Sequence, residues 1–476
     1  MKKFFVTAIF LTFCFVSISA QSDDFSDEDF FSSDDSLFSD DVFSEDSLFA
    51  DGDGIDEVNE VSAKTDLSKG ILFEDGSIKI GGNFTTSLET KTVLYSEEDK
   101  SFGENLKDSV LTPTANANLI VDARPTQSLR MYTKFGIQYP YTVKGNLQNK
   151  NFFDQNVTLN TQVTISDWFS LSDWFSLKEL FTDFSIADTA FFRFGLHTVT
   201  WGTGYFFSPV SDLINKSSID PENTSAQVDG SLNLRTQIVL PNTQNCLWFY
   251  VIPSTKFIAG TTADTYLRDT ALAAKADLVF GNWEFGIGGF YKYQNSPKAM
   301  LTASGSLKNV SVFGEFVYRY GADSEWSAKK DDWSDKTNIF QATVGLSRYW
   351  KNPAITLAAQ YYYDGNNKDM THQYLTYGHN VAALLSFGKI LGNSDFTSTI
   401  FGMVNFGKED LPPSLSAMLP QTYASLINTM TLSAMINYSP LSTIKIGMGP
   451  YITWKSFDNN PTVSLKLSAS LGGGKF

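Results

Sequence analysis

The chain has 476 residues and a formal net charge of −16, but 16 of its Asp and Glu residues lie between Ser22 and Glu60, where there is no Lys or Arg. Residues 61–476 are therefore almost neutral and offer no basic face to a nucleic acid. Beyond residue 20 the only cysteine is Cys246 and no unbroken apolar run is long enough for a membrane-spanning helix, which excludes both a disulfide-stapled fold and a helical membrane protein.

Taken in chain order, residues 1–20 read as a secretory signal peptide. Lys2 and Lys3 precede the apolar run Phe4 to Val16, and Ser17-Ile18-Ser19-Ala20 supplies the small-residue cleavage site, with cleavage expected after Ala20. Lipidation at Cys14 is the alternative, and Phe13 and the continuing apolar run argue against it.

Residues 21–75 are expected to form a disordered, acidic, Ser/Phe-rich periplasmic arm, because so many like charges without counter-charge repel one another and cannot pack. Two other uses of the arm stay open. Asp51, Asp53, Asp56 and Glu57 suit a hard cation such as calcium, although their spacing is not that of an EF-hand loop. The phenylalanines could instead dock on a periplasmic partner or inside a lumen.

From residue 76 onward the pattern is period-2 alternation, the signature of strands. Ile78, Ile80, Phe84 and Leu88 share one face against Lys79, Asn83, Ser87 and Glu89. Leu129, Met131, Phe135 and Ile137 oppose Arg130, Tyr132, Lys134 and Gln138, and the same division recurs at 232–238 and 444–448. One apolar and one polar face repeated along the whole chain is what lipid outside and water inside require. The fold class is therefore all-β: a transmembrane antiparallel barrel over 76–476, of about 18 strands with 16 as the alternative count.

Connections give a second line of reasoning. Short turns are expected at 125–127, 187–189, 241–244, 281–282, 305–308, 351–353, 390–393 and 439–441. Longer polar stretches fall at 91–111, 141–177, 202–225, 253–264, 321–336, 365–376 and 408–425. The two kinds alternate as periplasmic turns and outer loops should, except at Asn295–Pro297, which is short where an outer loop is due. Outward Tyr pairs at Tyr139/Tyr141, Tyr291/Tyr293, Tyr318/Tyr320 and Tyr361/Tyr363 all end strands at the expected outer rim, as an interfacial girdle would.

The alternation turns Arg130, Lys134, Arg193, Arg235 and Arg319 into the lumen with Glu179, Asp183 and Glu315, and His197 with them. Rings of charge set ion preference in a pore, and the small basic excess implies at most a weak preference for anions. Candidate chemistry is absent: three histidines, no H-E-x-x-H, no C-x-x-C, no G-x-S-x-G and no P-loop. His372 and His379 are expected to share an outer loop with Asp369, as solvated residues rather than metal ligands. The expectation is no enzyme, no cofactor and no metal.

Arg193-x-Gly195, then Trp201-Gly202-x-Gly204-Tyr205, then Pro209, Asp212 and Asn215 resemble a motif of a family of porin-like bacterial outer-membrane proteins. His197 stands where that family has Gln or Lys, and an extra residue separates Pro209 from Asp212. The resemblance, which covers about 23 residues, implies a channel-like barrel. Within it Trp201, Gly202, Gly204, Tyr205, Asp212 and Asn215 are the candidates for a loop that folds inward and narrows the channel, the other reading being a rigid corner with no part in transport.

The functional expectation is an outer-membrane porin passing small hydrophilic solutes. A surface adhesin or receptor and a channel for hydrophobic compounds are the alternatives. The expected partners are outer-membrane lipid, small solutes and the barrel-assembly machinery, with no nucleic acid, and the sequence leaves monomer and trimer both open.

Overall fold

The computed structural model describes residues 64–66, 71–75, 77–96, 101–139, 175–187, 189–214, 230–253, 262–328, 336–365, 378–406, 428–441, 444–455 and 460–475. They contain two short strands, β1 (Lys64–Asp66) and β2 (Ile71–Asp75), and then eighteen more. In order these are β3 (Ile78–Tyr95), β4 (Val110–Thr126), β5 (Leu129–Tyr139), β6 (Phe175–Ile186), β7 (Ala190–His197), β8 (Ser231–Val239), β9 (Cys246–Ile252), β10 (Ala271–Phe280) and β11 (Trp283–Lys292). There follow β12 (Lys298–Leu307), β13 (Val310–Tyr320), β14 (Asn338–Trp350), β15 (Ile355–Asp364), β16 (Gly378–Phe387), β17 (Phe396–Phe406), β18 (Thr429–Leu441), β19 (Ile444–Lys455) and β20 (Thr462–Lys475).

From β3 onward each strand pairs antiparallel with the next, and β20 pairs back onto β3 with Ser470 opposite Ser87 and Leu467 opposite Thr90. The eighteen strands thus close into a barrel, and closure leaves no row of unpaired backbone groups along its wall. Strands about 4.8 Å apart and tilted by about 40° make a cylinder on the order of 35 Å across, too wide for side chains from the wall alone to fill.

Burial runs opposite to that of a water-soluble protein. Asp122, Arg193, Glu315 and Asp364 are at most 4% exposed, whereas Ile287, Val344 and Met448 are more than half exposed. Along β13 the buried positions Phe313, Glu315, Val317 and Arg319 alternate with Phe316 and Tyr318, which face out. Charged residues are almost never buried, and broad apolar surface is almost never left in water; here one sheet does both on opposite faces. Hydrocarbon outside the barrel removes the contradiction.

Aromatic residues bound the outward apolar band. Phe396 and Phe406 lie ten residues apart on the outer face of β17, as do Phe340 and Trp350 on β14. Ten residues of strand at this tilt climb about 25 Å, the height of the apolar band of an outer-membrane barrel. At the rim with short turns, Phe184 stacks on Phe192 and Phe396 on Tyr438. At the other rim, Phe340, Tyr363, His379 and Phe406 form a continuous row across β14 to β17.

Several expected boundaries move. Strand β3 runs to Tyr95, and the stretch expected as an open loop over 91–111 holds a helix, α1 (Phe102–Lys107), whose N-cap Ser101 and Glu104 form a capping box. Further helices, α2 (Ala263–Arg268) and α3 (Asp323–Ala328), occupy parts of the 253–264 and 321–336 stretches. The turn placed at 305–308 is tighter, since Gly305, Ser306 and Leu307 remain in β12. Ser439 to Leu441 belong to β18, where the register shifts before the chain turns. Strand β6 begins at Phe175, inside the expected second outer loop, because a bulge at Lys178 re-phases it against β5. The connection at Asn295–Pro297 is indeed short and lies on the rim of the long connections, where Asp323 holds it by accepting from Ser296 N at 2.9 Å.

His379 is not in an outer loop. It is an outward residue of β16, its ring stacked on Phe406 and its Nδ1 2.7 Å from the Tyr361 hydroxyl. His372, Asp369, Tyr141, the signal peptide, most of the arm and Phe476 lie outside the described residues. Within 21–75, residues 64–66 and 71–75 are strands that join the sheet, with β2 pairing to β3 and β1 to β2. Asp75 pairs with Ile78, so the link between β2 and β3 is two residues long, and the sequence at that point, Gly-Ser, is one that favours a hairpin.

Candidate functional site

Strand β7 ends at His197, and the chain then turns into the barrel instead of crossing its rim. Residues 198–214 carry no strand, yet Val199, Trp201, Phe206, Phe207 and Val210 are buried. The segment is first tied to itself. Trp201 Nε1 donates to the Val210 carbonyl at 2.8 Å, Gly202 N to Ser211 Oγ at 3.0 Å, and a 3-10 turn over Ser211–Leu213 closes the compact end.

It is then tied to inward side chains of strands remote from it in sequence. Glu315 on β13 is the main one. Its Oε1 accepts from Thr203 N at 2.5 Å, Gly204 N at 2.6 Å and Ser208 Oγ at 3.0 Å, and its Oε2 accepts from Val210 N at 2.9 Å. Gln360 on β15 accepts from Phe206 N at 2.6 Å and returns a bond from Nε2 to the Phe207 carbonyl at 2.6 Å. On β10, Lys275 Nζ donates to the Trp201 carbonyl at 2.7 Å and is paired with Asp277 at 2.9 Å. An irregular segment enclosed in a protein must find partners for its backbone groups, and these three side chains supply them.

Two apolar clusters flank the polar contacts. Trp201 and Val210 pack with Tyr250, Ala271, Ala273, Phe290, Met300 and Val317 on the wall from β9 to β13. Phe206 and Phe207 pack with Ala358, Tyr362, Ala382, Leu384 and Phe401 on β15 to β17, with Phe207 stacked on Tyr362 at 5.2 Å. Burial of four such side chains contributes roughly 1.5–3 kcal/mol each. The segment leaves β7 and reaches β17, so it lies over half of the inner wall.

Its glycines are there for room. A Cβ on Gly204 would run into the Phe207 carbonyl, and one on Gly202 into Ser208 Oγ and the Glu315 carboxylate. Gly195, the glycine of the Arg-x-Gly core, has φ +139° and presses against the Leu180 carbonyl, so a side chain there is both strained and blocked.

Wall residues between β4 and β8 carry a connected group of lumenal charges. Arg130 makes a bidentate pair with Asp122 at 2.9 and 3.2 Å, and Arg193 one with Asp183 at 2.6 and 3.1 Å. Arg130 also approaches Asp183 at 3.7 Å, and Arg124 approaches Asp122 at 3.6 Å, which links the residues into a chain across four strands. The Phe181 ring sits 4.1 Å from the Arg193 guanidinium. Lys134 and Glu179 are directly opposed on β5 and β6. Arg235 lies over the Trp248 ring at 5.5 Å, and Arg319 pairs with Asp323 at 3.6 Å. His197 is buried at the root of the inward segment, edge-on to Phe181.

The structure therefore brings Trp201, Gly202, Gly204 and Tyr205 together with Glu315, and places Asp212 in the 3-10 turn beside them. Arg130, Asp183 and Arg193 form a separate group on the wall, while Arg319 belongs to the rim with Asp323. Asn215 lies outside the described residues. Gln360, Lys275, Asp277 and Ser208 were missed as site residues. Lys275 and Asp277 had a signal, opposite charges two apart on a strand otherwise of Ala, Leu, Val and Phe; Gln360 had only its inward phase between Ala358 and Tyr362.

No family model matches the sequence, and no curated protein matches it. Among solved structures the chain is similar to OccAB4 of Acinetobacter baumannii at 8% identity and a TM-score of 0.46, covering 83% of this chain and 98% of that one. It is also similar to OccK9 (OpdG) of Pseudomonas aeruginosa at 9% identity and 0.47, covering 84% and 98%. A BenF-like porin from Pseudomonas fluorescens Pf-5 gives 10% identity and 0.44, covering 83% and 99%. The assignment of the barrel rests on its own strand pairing.

Proposed function

We propose that this protein is a channel of the bacterial outer membrane through which small hydrophilic solutes diffuse, narrowed by the segment 198–214. The observation that carries the reading is the pairing of two features in one closed sheet. Its outer face is apolar between two aromatic rims, and its inner face is charged and holds a segment from its own chain. A cylinder of this width leaves an aqueous path unless it is filled, and the segment occupies one side of it. The resemblance of Arg193 to Asn215 to the porin-like motif supports the same reading.

Selectivity follows from the pairing of the lumenal charges. Arg130, Arg193, Lys275 and Arg319 each have a carboxylate partner, so the wall presents little net field and favours anions weakly at most. The signal peptide directs export, the arm is periplasmic, and lipid and the barrel-assembly machinery are the partners of such a protein; whether it works as a monomer or a trimer is left to the same experiment.

That experiment is planar-bilayer recording of the refolded, purified protein. Discrete conductance steps of one recurring size are expected, with a small shift of reversal potential toward anions in a salt gradient; grouped steps of three indicate a trimer. Protein that inserts and shows heat-modifiable migration but gives no steps overturns the channel reading and moves the assignment to a surface receptor.

A further inference from the structure

Strand β3 is longer than the strand that closes the barrel against it. Pairing with β20 runs from Tyr95 opposite Val463 down to Asn83 opposite Lys475, and then stops. The same edge of β3 continues below that point, and there it is occupied by β2, with Ile71 opposite Gly81, Glu74 opposite Lys79 and Asp75 opposite Ile78. Strands β2 and β20 thus lie end to end along one edge, and only Gly82 separates their partners on β3.

This seam differs from every other pairing in the wall. Each of the other neighbouring strands is joined in sequence to its partner, so a turn or loop limits how far the two can slide. Strands β20 and β3 have no such joint. Their register nevertheless decides the geometry of the whole barrel, because the stagger accumulated around a closed sheet sets strand tilt and diameter together. A slide of two residues keeps every side chain on its proper face, so the apolar and polar pattern alone does not forbid it.

We infer that the hairpin β1–β2 is a register stop for barrel closure. With Asp75 opposite Ile78 and Ile71 opposite Gly81, β2 fills the hydrogen-bonding edge at 78–81. Sliding β20 by two residues toward this rim would carry Lys475 to Gly81, where β2 already pairs. The hairpin blocks that slide and thereby limits the stagger of the closed sheet in that direction.

Disulfide trapping reads the register directly, because Cα atoms of opposed residues in an antiparallel pair lie within disulfide reach. In a Cys246→Ser background, Ser87→Cys with Ser470→Cys reports the native register, and Thr85→Cys with Ser470→Cys reports the register slid by two. In the full chain only the first pair is expected to cross-link. Removal of residues 64–75, or Phe73→Pro, which deletes a ladder N–H from β2, is expected to raise cross-linking of the second pair severalfold while the barrel still migrates as folded. Cross-linking confined to the first pair in both variants overturns the inference. Failure of both variants to fold overturns it too, since a stop on sliding is not needed for a barrel to close.

Discussion

Glu315→Ala is expected to raise single-channel conductance severalfold and to make the open level noisy, with Glu315→Gln falling between Glu315→Ala and the parent protein. The carboxylate accepts three backbone N–H groups and one hydroxyl from the inward segment. Bonds to a charged acceptor contribute about 1.5–3 kcal/mol each, and a buried donor left without a partner costs about 1–3 kcal/mol. The middle of the segment, Thr203 to Val210, would therefore lose several kcal/mol of docking free energy and seek water, and the water is in the lumen. The apolar clusters around Trp201 and Phe206 stay in place, which is why the segment should loosen and flicker rather than leave. The amide of Gln keeps one acceptor oxygen but turns a donor toward Val210 N and Ser208, hence the intermediate value. The barrel is held by pairing between β3 and β20 that does not involve Glu315, so heat-modifiable migration should be unchanged. A conductance equal to that of the parent for both variants would mean that the segment does not border the path of ions.

Val344→Arg is expected to destabilise the folded barrel in bilayers by roughly 2–4 kcal/mol. Val344 lies on the outer face of β14, four residues from Phe340 and six from Trp350, and is 54% exposed. At such an exposed position in water a substitution usually changes stability by only about 0.5 kcal/mol, since Arg would be hydrated and would displace nothing. At mid-height in a membrane the same guanidinium must be stripped of water or drag water in with it. Equilibrium unfolding in urea from lipid vesicles, with Phe340→Arg as the rim-level companion, separates the cases: the cost should fall toward 0–1 kcal/mol near the interface. Equal and negligible costs at both depths would contradict a lipid-facing wall.

Much of the barrel was legible because its two solvents write a two-residue rhythm into every strand. Residues such as Leu129, Met131 and Ile137 against Arg130 and Lys134 can satisfy lipid and lumen in only one phase, and the outward Tyr318 and Tyr361 then mark the rim. The rhythm says less about strand ends. The continuation of β3 to Tyr95 and the early start of β6 at Phe175 depend on a neighbour being long enough to pair with, and on a bulge, both matters of tertiary context. The short hairpin before β3 was hidden by the composition of the acidic stretch upstream of it, although Gly76-Ser77 carried a turn signal.

The inward segment was legible at one end only. Gly202 and Gly204 pointed to close approach, and Trp201 and Tyr205 to packing, but nothing local says which wall receives them. Glu315 could be placed in the lumen by phase, yet its service as a multiple acceptor for backbone N–H groups depends on a segment more than a hundred residues away. Gln360 is the same case. Polar residues that satisfy the backbone of a distant irregular segment carry no pattern of their own, because what they match is a conformation and not a residue type.

The central claim, that the exposed apolar face meets hydrocarbon, is tested most directly by spin labels at Ile287, Val344 and Met448, one at a time in a Cys246→Ser background, in protein reconstituted into lipid vesicles. Collision with oxygen, which concentrates in the bilayer, should be high at all three positions and collision with a water-soluble nickel chelate low. High nickel and low oxygen accessibility at these positions would show the face to be in water, and the membrane barrel would have to be abandoned.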